Sequence, residues 1–157
     1  MPTLVHLADE RHAAKIKKNG LKMGRRGLFC MPVLPHFYVS HQWLRELKRF
    51  GGKTFVGVYF KMESSEKVYA GRYNEPHRHI ELGEAIREIM SIEDPLGYEL
   101  ILDRKITSGE IEKIRHLPQN IGWRYQPHAN GKPPCGCKFC QLGQVKGKRI
   151  REKFGSL

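Results

Sequence analysis

Long apolar runs are missing from this chain. No stretch of its 157 residues approaches the roughly 18 consecutive apolar side chains that a spanning helix needs, so no membrane span is expected. The first residues, Met1 to Glu10, hold no apolar signal core, which leads us to expect a cytoplasmic rather than a secreted protein. The 16 glycines form neither a Gly-x-Gly-x-x-Gly fingerprint nor a phosphate-cradling loop ending in Gly-Lys-Ser/Thr, which excludes Rossmann and Walker sites. There is no internal repeat. Cysteine is scarce until Cys135, with Cys30 alone before it.

Acid is also in short supply. Lys and Arg number 28 against 16 Asp and Glu, a net charge of +12. Such an excess gathers polyanions and makes nucleic acid the expected partner. The apolar fraction of 39% is enough for one folded domain of this length.

Periodicity sketches the domain. Leu4 to Leu7 reads as a strand, Asp9 as the N-cap of a helix over 10–19, and Gly20 as its C-terminal stop. Leu28 to Met31 is a second strand, ended by Pro32 and Pro35. Ser40 is expected to cap a helix from His41 to Phe50, with Trp43, Leu44 and Leu47 inward and Glu46 among the outward residues. Thr54 to Met62 and Val68 to Tyr73 read as strands, 74–79 as a loop, and Ile80 to Ile92 as a helix. Tyr98 to Leu102 is a further short strand, with Ile106 and Ile111 behind it. Irregular alternation of strands and helices indicates an α+β class, a small split antiparallel-rich sheet flanked by helices. The expected organisation is a domain over 1–115 and an irregular basic tail over 116–157 packed on it, where Trp123 and Tyr125 serve as anchors.

Glu99 stands between Gly97-Tyr98 and the apolar run Leu100-Ile101-Leu102. Its neighbours are built to pack, which leaves a carboxylate at a strand mouth. Three stretches taken together resemble the ADP-ribosyltransferase superfamily, which includes poly-ADP-ribose polymerases, DNA-modifying toxins and RNA 2′-phosphotransferases. Leu4-Val5-His6-Leu7, a helix and Gly20-Leu21 look like that family's opening strand, whose histidine holds a ribose hydroxyl. Arg26-Gly27-Leu28-Phe29-Cys30 looks like its Gly-Ile-Tyr-Phe strand, whose ring stacks on nicotinamide. Tyr98-Glu99-Leu100-Ile101-Leu102 looks like the strand that begins with the catalytic glutamate. The resemblance implies an ADP-ribosyltransferase-like fold and NAD as co-substrate. It implies catalytic roles for Glu99 and His6, and a cofactor site of His6, Arg26, Gly27, Phe29 and Tyr38. Phe29 departs from the tyrosine of many members, which keeps a stacking wall but removes a phenol hydroxyl. Arg25, Arg72 and Arg78 join Arg26 as expected anion-binding arginines.

The tail adds a second chemistry. Cys135, Cys137 and Cys140 form Cys-x-Cys-x-x-Cys, with His128 upstream. Three thiolates and an imidazole match zinc's tetrahedral preference, with His116 and Cys30 as other candidate ligands. From Lys132 onward seven basic residues face one acid, Glu152. Lys146, Lys148, Arg149, Arg151 and Lys153 are the expected phosphate contacts. The combined expectation is a toxin-like, NAD-dependent ADP-ribosyltransferase acting on DNA or RNA, with an antitoxin or immunity protein as a further partner. The alternatives are a non-catalytic zinc-stabilised nucleic-acid-binding protein and an RNA 2′-phosphotransferase-like enzyme.

Overall fold

The computed structural model describes residues 1–48, 52–73 and 75–122. Its organising element is a seven-stranded sheet of order β5-β4-β6-β2-β1-β3-β7, every neighbouring pair antiparallel. In chain order these are β1 (Thr3–Asp9), β2 (Leu28–Pro32), β3 (Phe55–Lys61), β4 (Lys67–Arg72), β5 (Arg78–Glu81), β6 (Tyr98–Leu102) and β7 (Ile111–His116). The helices are α1 (Ala13–Asn19), α2 (Phe37–Ser40), α3 (Leu44–Lys48) and α4 (Leu82–Ser91). The class is α+β, as its alternation indicated. Among the described residues no helix is long and apolar enough to cross a membrane.

Local chemistry explains most elements. Asp9 accepts from Arg11 N at 2.9 Å and caps a short 3-10 turn that leads into α1, and Gly20 ends that helix with φ 81°. In β3 six consecutive residues, Phe55 to Phe60, are buried, in a strand flanked by β1 on one side and β7 on the other. β6 alternates instead: Tyr98, Leu100 and Leu102 are buried, while Glu99 and Ile101 are only partly covered. On the buried side of this half of the sheet, α4 lays Leu82, Ala85 and Ile89 against β4 and β5. The other side is left open.

β2 is shared unequally. Its first half pairs with β6, Leu28 to Leu102 through Cys30 to Leu100, and its second half pairs with β1, Leu4 to Pro32 and Val5 to Met31. Beyond Val5 the two strands part, and β1 continues beside β3 alone. The cleft lies along this parting.

Several expectations needed correcting. The helix expected from His41 to Phe50 starts only at Leu44, as α3, after a turn over 41–43; a separate short helix, α2, precedes that turn, and Ser40 ends α2 rather than capping the next. Its hydroxyl accepts from Leu34 N at 2.7 Å and closes the turn after Pro35. Residues 49–51, the end of that expected helix, lie outside the described residues. The loop expected over 74–79 ends in the edge strand β5, and a strand, β7, pairs with β3 where none was expected. Packing continues past the expected boundary at 115. Leu117 and Ile121 are buried, and Gln119 bonds both the Phe55 N–H and carbonyl at 2.9 and 2.8 Å.

Candidate functional site

The open face of the sheet carries a cleft of about 670 Å³. His6 from β1, Phe29 from β2 and Glu99 from β6 all line it, together with Arg26 from the turn before β2. Trp43, Glu46 and Leu47 form the opposing wall, and Tyr73 and His77 close one end.

Each side chain is held by its strand. Phe29 alternates with buried Leu28 and Cys30, so its ring leaves the core and remains 39% exposed. Gly27 sets up that strand with φ 101°, and a Cβ there would lie 2.5 Å from Ile101 Cγ2 and 2.6 Å from the Leu102 carbonyl. Gly27 therefore lets β2 approach β6 closely, and its role is positional. His6 reaches across the parted strands. Its Nδ1 donates to the Phe29 carbonyl at 2.7 Å, which leaves Nε2 as the ring atom available to a ligand. Burial holds the His6 imidazole below its ordinary pKa, and the Phe29 carbonyl opposes that only in part. The ring is neutral at physiological pH.

Glu99 is anchored through the turn that precedes it. Gln42, fully buried, accepts from Gly97 N at 2.8 Å and donates to the carbonyls of Pro95 and Val39 at 3.1 and 3.2 Å. Trp43 Nε1 donates to the Tyr98 carbonyl at 2.9 Å. The carboxylate itself meets His77, with Oε1 at 3.0 Å from Nε2. Burial pushes the Glu99 pKa up; His77 and, more weakly, Arg26 pull against it.

The expected residues divide cleanly. His6, Arg26, Phe29 and Glu99 meet in the cleft, and Gly27 stands just behind it. Tyr38 does not line it: the ring is 3% exposed, packed in the core between α2 and the sheet. Of the other arginines, Arg72 donates to the carbonyls of Leu96 and Asp94 at 2.6 and 2.5 Å, and Arg78 pairs with Glu88, so both support structure. Arg25 is exposed in the turn. Glu46, expected outward, is 9% exposed and lines the cleft. Cys30 is buried with its thiol pKa pushed up, a poor state for a zinc ligand, and His116 lies exposed on β7 beside Glu10. His128, Cys135, Cys137, Cys140 and the basic residues Lys146, Lys148, Arg149, Arg151 and Lys153 lie outside the described residues, as do Trp123 and Tyr125.

Sequence reasoning missed Gln42, Trp43 and His77. Gln42 offered no local signal, since it stands among the polar residues Ser40, His41, Arg45 and Glu46, and Trp43 reads only as an inward residue of a helix. His77 offered no signal, because its role depends on which strand lies beside β4. A further row crosses the open face: Phe29, Ile101, Tyr69 and His79 are successive cross-strand neighbours, and the last two rings stack at 4.4 Å.

No family model, curated protein or solved structure matches the chain.

Proposed function

We propose that the chain is an NAD-dependent ADP-ribosyltransferase that modifies nucleic acid. The observation that supports this most is convergence. His6, Phe29 and Glu99 were singled out from three separated stretches, and they line one cleft. In this reading the parting of β1 and β2 is the split of an ADP-ribosyltransferase-like sheet.

The cleft suits the dinucleotide. Its volume of about 670 Å³ is in the range of sites for molecules of this class. Phe29, Trp43 and Tyr73 supply flat apolar walls for the nicotinamide and its ribose. Neutral His6 presents Nε2 to a ribose hydroxyl, which can donate to it. Arg26 supplies a positive charge for the pyrophosphate. Cleavage of the bond between nicotinamide and ribose develops positive charge at the anomeric carbon. Glu99, poorly solvated and rigidly held, opposes that charge without reorganising. The exposed row of Phe29, Ile101, Tyr69 and His79 leads from the cleft across the sheet and offers a stacking surface for an acceptor base.

A single arginine, Arg26, lines the cleft among the described residues. That disfavours an RNA 2′-phosphotransferase, which depends on several arginines for phosphate. A binding module without catalysis would leave the half-buried Glu99 carboxylate in the cleft without a task. The test is incubation of the full chain with NAD labelled in its adenylate moiety and a mixture of single-stranded DNA, RNA and protein. Label should enter nucleic acid with release of one nicotinamide per transfer. A folded protein that neither binds nor consumes NAD overturns the reading.

A further inference from the structure

We propose that a basic ridge, formed by α1 and the turn before β2, holds the phosphate backbone of a nucleic acid and leads it to the cleft at Arg26; that the bound strand is the acceptor rests on the transferase reading. The excess charge of this chain is not spread evenly. Residues 46–131 hold 13 Lys and Arg against 13 Asp and Glu. Residues 11–45 hold eight Lys and Arg and no acid, and the rest of the excess lies beyond residue 131. Within the folded body, the positive field therefore originates in one segment.

The structure puts that segment on the surface. Ala13 and Ile16 of α1 are partly covered and pack on the core, while Lys15, Lys17 and Lys18 are exposed. Lys22, Arg25 and Arg26 follow, all exposed, and Arg26 lines the cleft with Glu99. Among the described residues, Lys15, Lys17, Lys18, Lys22 and Arg25 make no ion pair with a carboxylate. Other cations do: Lys61 pairs with Glu112, Arg78 with Glu88, and Arg104 with Glu66 and Glu110. The C-terminal dipole of α1 accounts for Lys17 and Lys18. It does not account for Lys22 and Arg25, which lie beyond the helix stop at Gly20.

The ridge is built on fixed backbone. Leu21 exchanges two hydrogen bonds with Ile106, at 2.8 and 3.1 Å, and Gly20 packs so closely there that a Cβ would lie 2.2 Å from the Ile106 carbonyl oxygen. Gly24 and Gly27 exchange two more, at 3.3 and 3.1 Å, and close the turn that carries Arg25 and Arg26. Uncompensated cations held in this way collect counter-anions, and a polyanion that displaces them gains their release. Met23, 49% exposed, stands within the ridge, and exposed Phe29 follows its last arginine. Cations interleaved with apolar side chains fit a strand that offers phosphates together with sugar and base faces. A membrane surface fits less well, because the apolar residues of α1 face the core and leave none to insert.

The full chain is titrated, without NAD, against fluorescent DNA and RNA oligonucleotides over a salt series, and against vesicles of phosphatidylserine and phosphatidylcholine. Wild type is compared with the triple variant Lys15→Gln, Lys18→Gln, Lys22→Gln. A charge-matched control, Lys53→Gln, Lys61→Gln, Arg87→Gln, changes exposed residues of the neutral region. The ridge variant should flatten the slope of log affinity against log salt by about two to three, and bind about 100-fold more weakly at roughly 0.1 M salt. The control should lose less than about tenfold. Both should melt as wild type does, and Lys22→Gln alone, expected to flatten the slope by about one, decides the matter if the triple variant does not fold. Equal losses in the two triple variants would reduce the effect to net charge and overturn the proposal. So would an unchanged slope in the ridge variant, or wild type that binds the vesicles and no oligonucleotide. A protein that binds oligonucleotide through the ridge yet consumes no NAD would uphold the ridge and remove the transferase reading.

Discussion

Two histidines in this protein, His41 buried and His6 half-buried, make the same first bond and differ in the second. His41, in the turn between α2 and α3, sets Nδ1 2.8 Å from the Phe37 carbonyl and stacks on the Phe37 ring at 4.0 Å. Its Nε2 is answered by the Tyr59 hydroxyl at 2.8 Å, so the ring is sealed and complete. His6 sets Nδ1 2.7 Å from the Phe29 carbonyl, but its second nitrogen is left for the cleft. A backbone-bonded Nδ1 does not by itself distinguish a structural histidine from a functional one. The distinction is whether the protein itself satisfies the far nitrogen. One region of the molecule is closed around its polar groups, and the other leaves them for a ligand.

Four experiments bear on that contrast. The largest effect is expected in the open region. Glu99→Gln should slow transfer by about two to three orders of magnitude, the loss of roughly 3–4 kcal/mol of preorganised electrostatics, while NAD affinity and fold survive. Full turnover by this variant would remove Glu99 from the chemistry. Next, His41→Ala should cost about 3 kcal/mol of stability, because two buried hydrogen bonds and a ring contact go and the Tyr59 hydroxyl is stranded. Chemical denaturation measures it, and a nearly neutral result would mean that the sealed site is not structural.

His6→Ala should reverse the balance. Stability should fall by less than about 1 kcal/mol, while the dissociation constant for NAD rises about tenfold, near 1.4 kcal/mol. If His6→Ala destabilises as strongly as His41→Ala, the two histidines are alike and the comparison collapses. The smallest effect is on pH dependence. Burial lowers the His41 pKa from 6.5 to about 4, and that of His6 in the same direction. The unfolded chain therefore takes up protons first as pH falls. The stability from the neutral rings is complete above about pH 6.5 and is lost progressively as pH falls toward about 4. His41→Phe should flatten that slope in thermal melts taken across the window, and an unchanged slope would assign it to other groups.

The legible parts of the fold were those with strong local patterns. β1, β2, β3 and β6 each announced themselves by a short apolar run, and α4 by its repeating Leu82, Ala85 and Ile89. Asp9 and Gly20 marked α1 because capping is a local event. β7 was not legible: Ile111 and Ile114 stand among charged residues, and only pairing with β3 makes that segment a strand. β5 has the same character, an edge strand with Ile80 alone partly covered. Tyr38 was misplaced for a related reason. A short helical turn after Pro35 rotates its ring into the core, and nothing in the neighbouring residues specifies that rotation.

By itself, the sequence determined the class of the fold, its basic charge and three residues worth watching: His6, Phe29 and Glu99. These follow from patterns that span a few positions, where side-chain type and backbone preference act together. Only the tertiary structure decided that the three line one cleft, because β2 pairs with β6 over one half and with β1 over the other. It alone decided that Gly71 stands opposite Glu99 and so admits His77. Strand register joins residues far apart in the chain, and its energy is spread over the whole sheet, so no single stretch of sequence carries it.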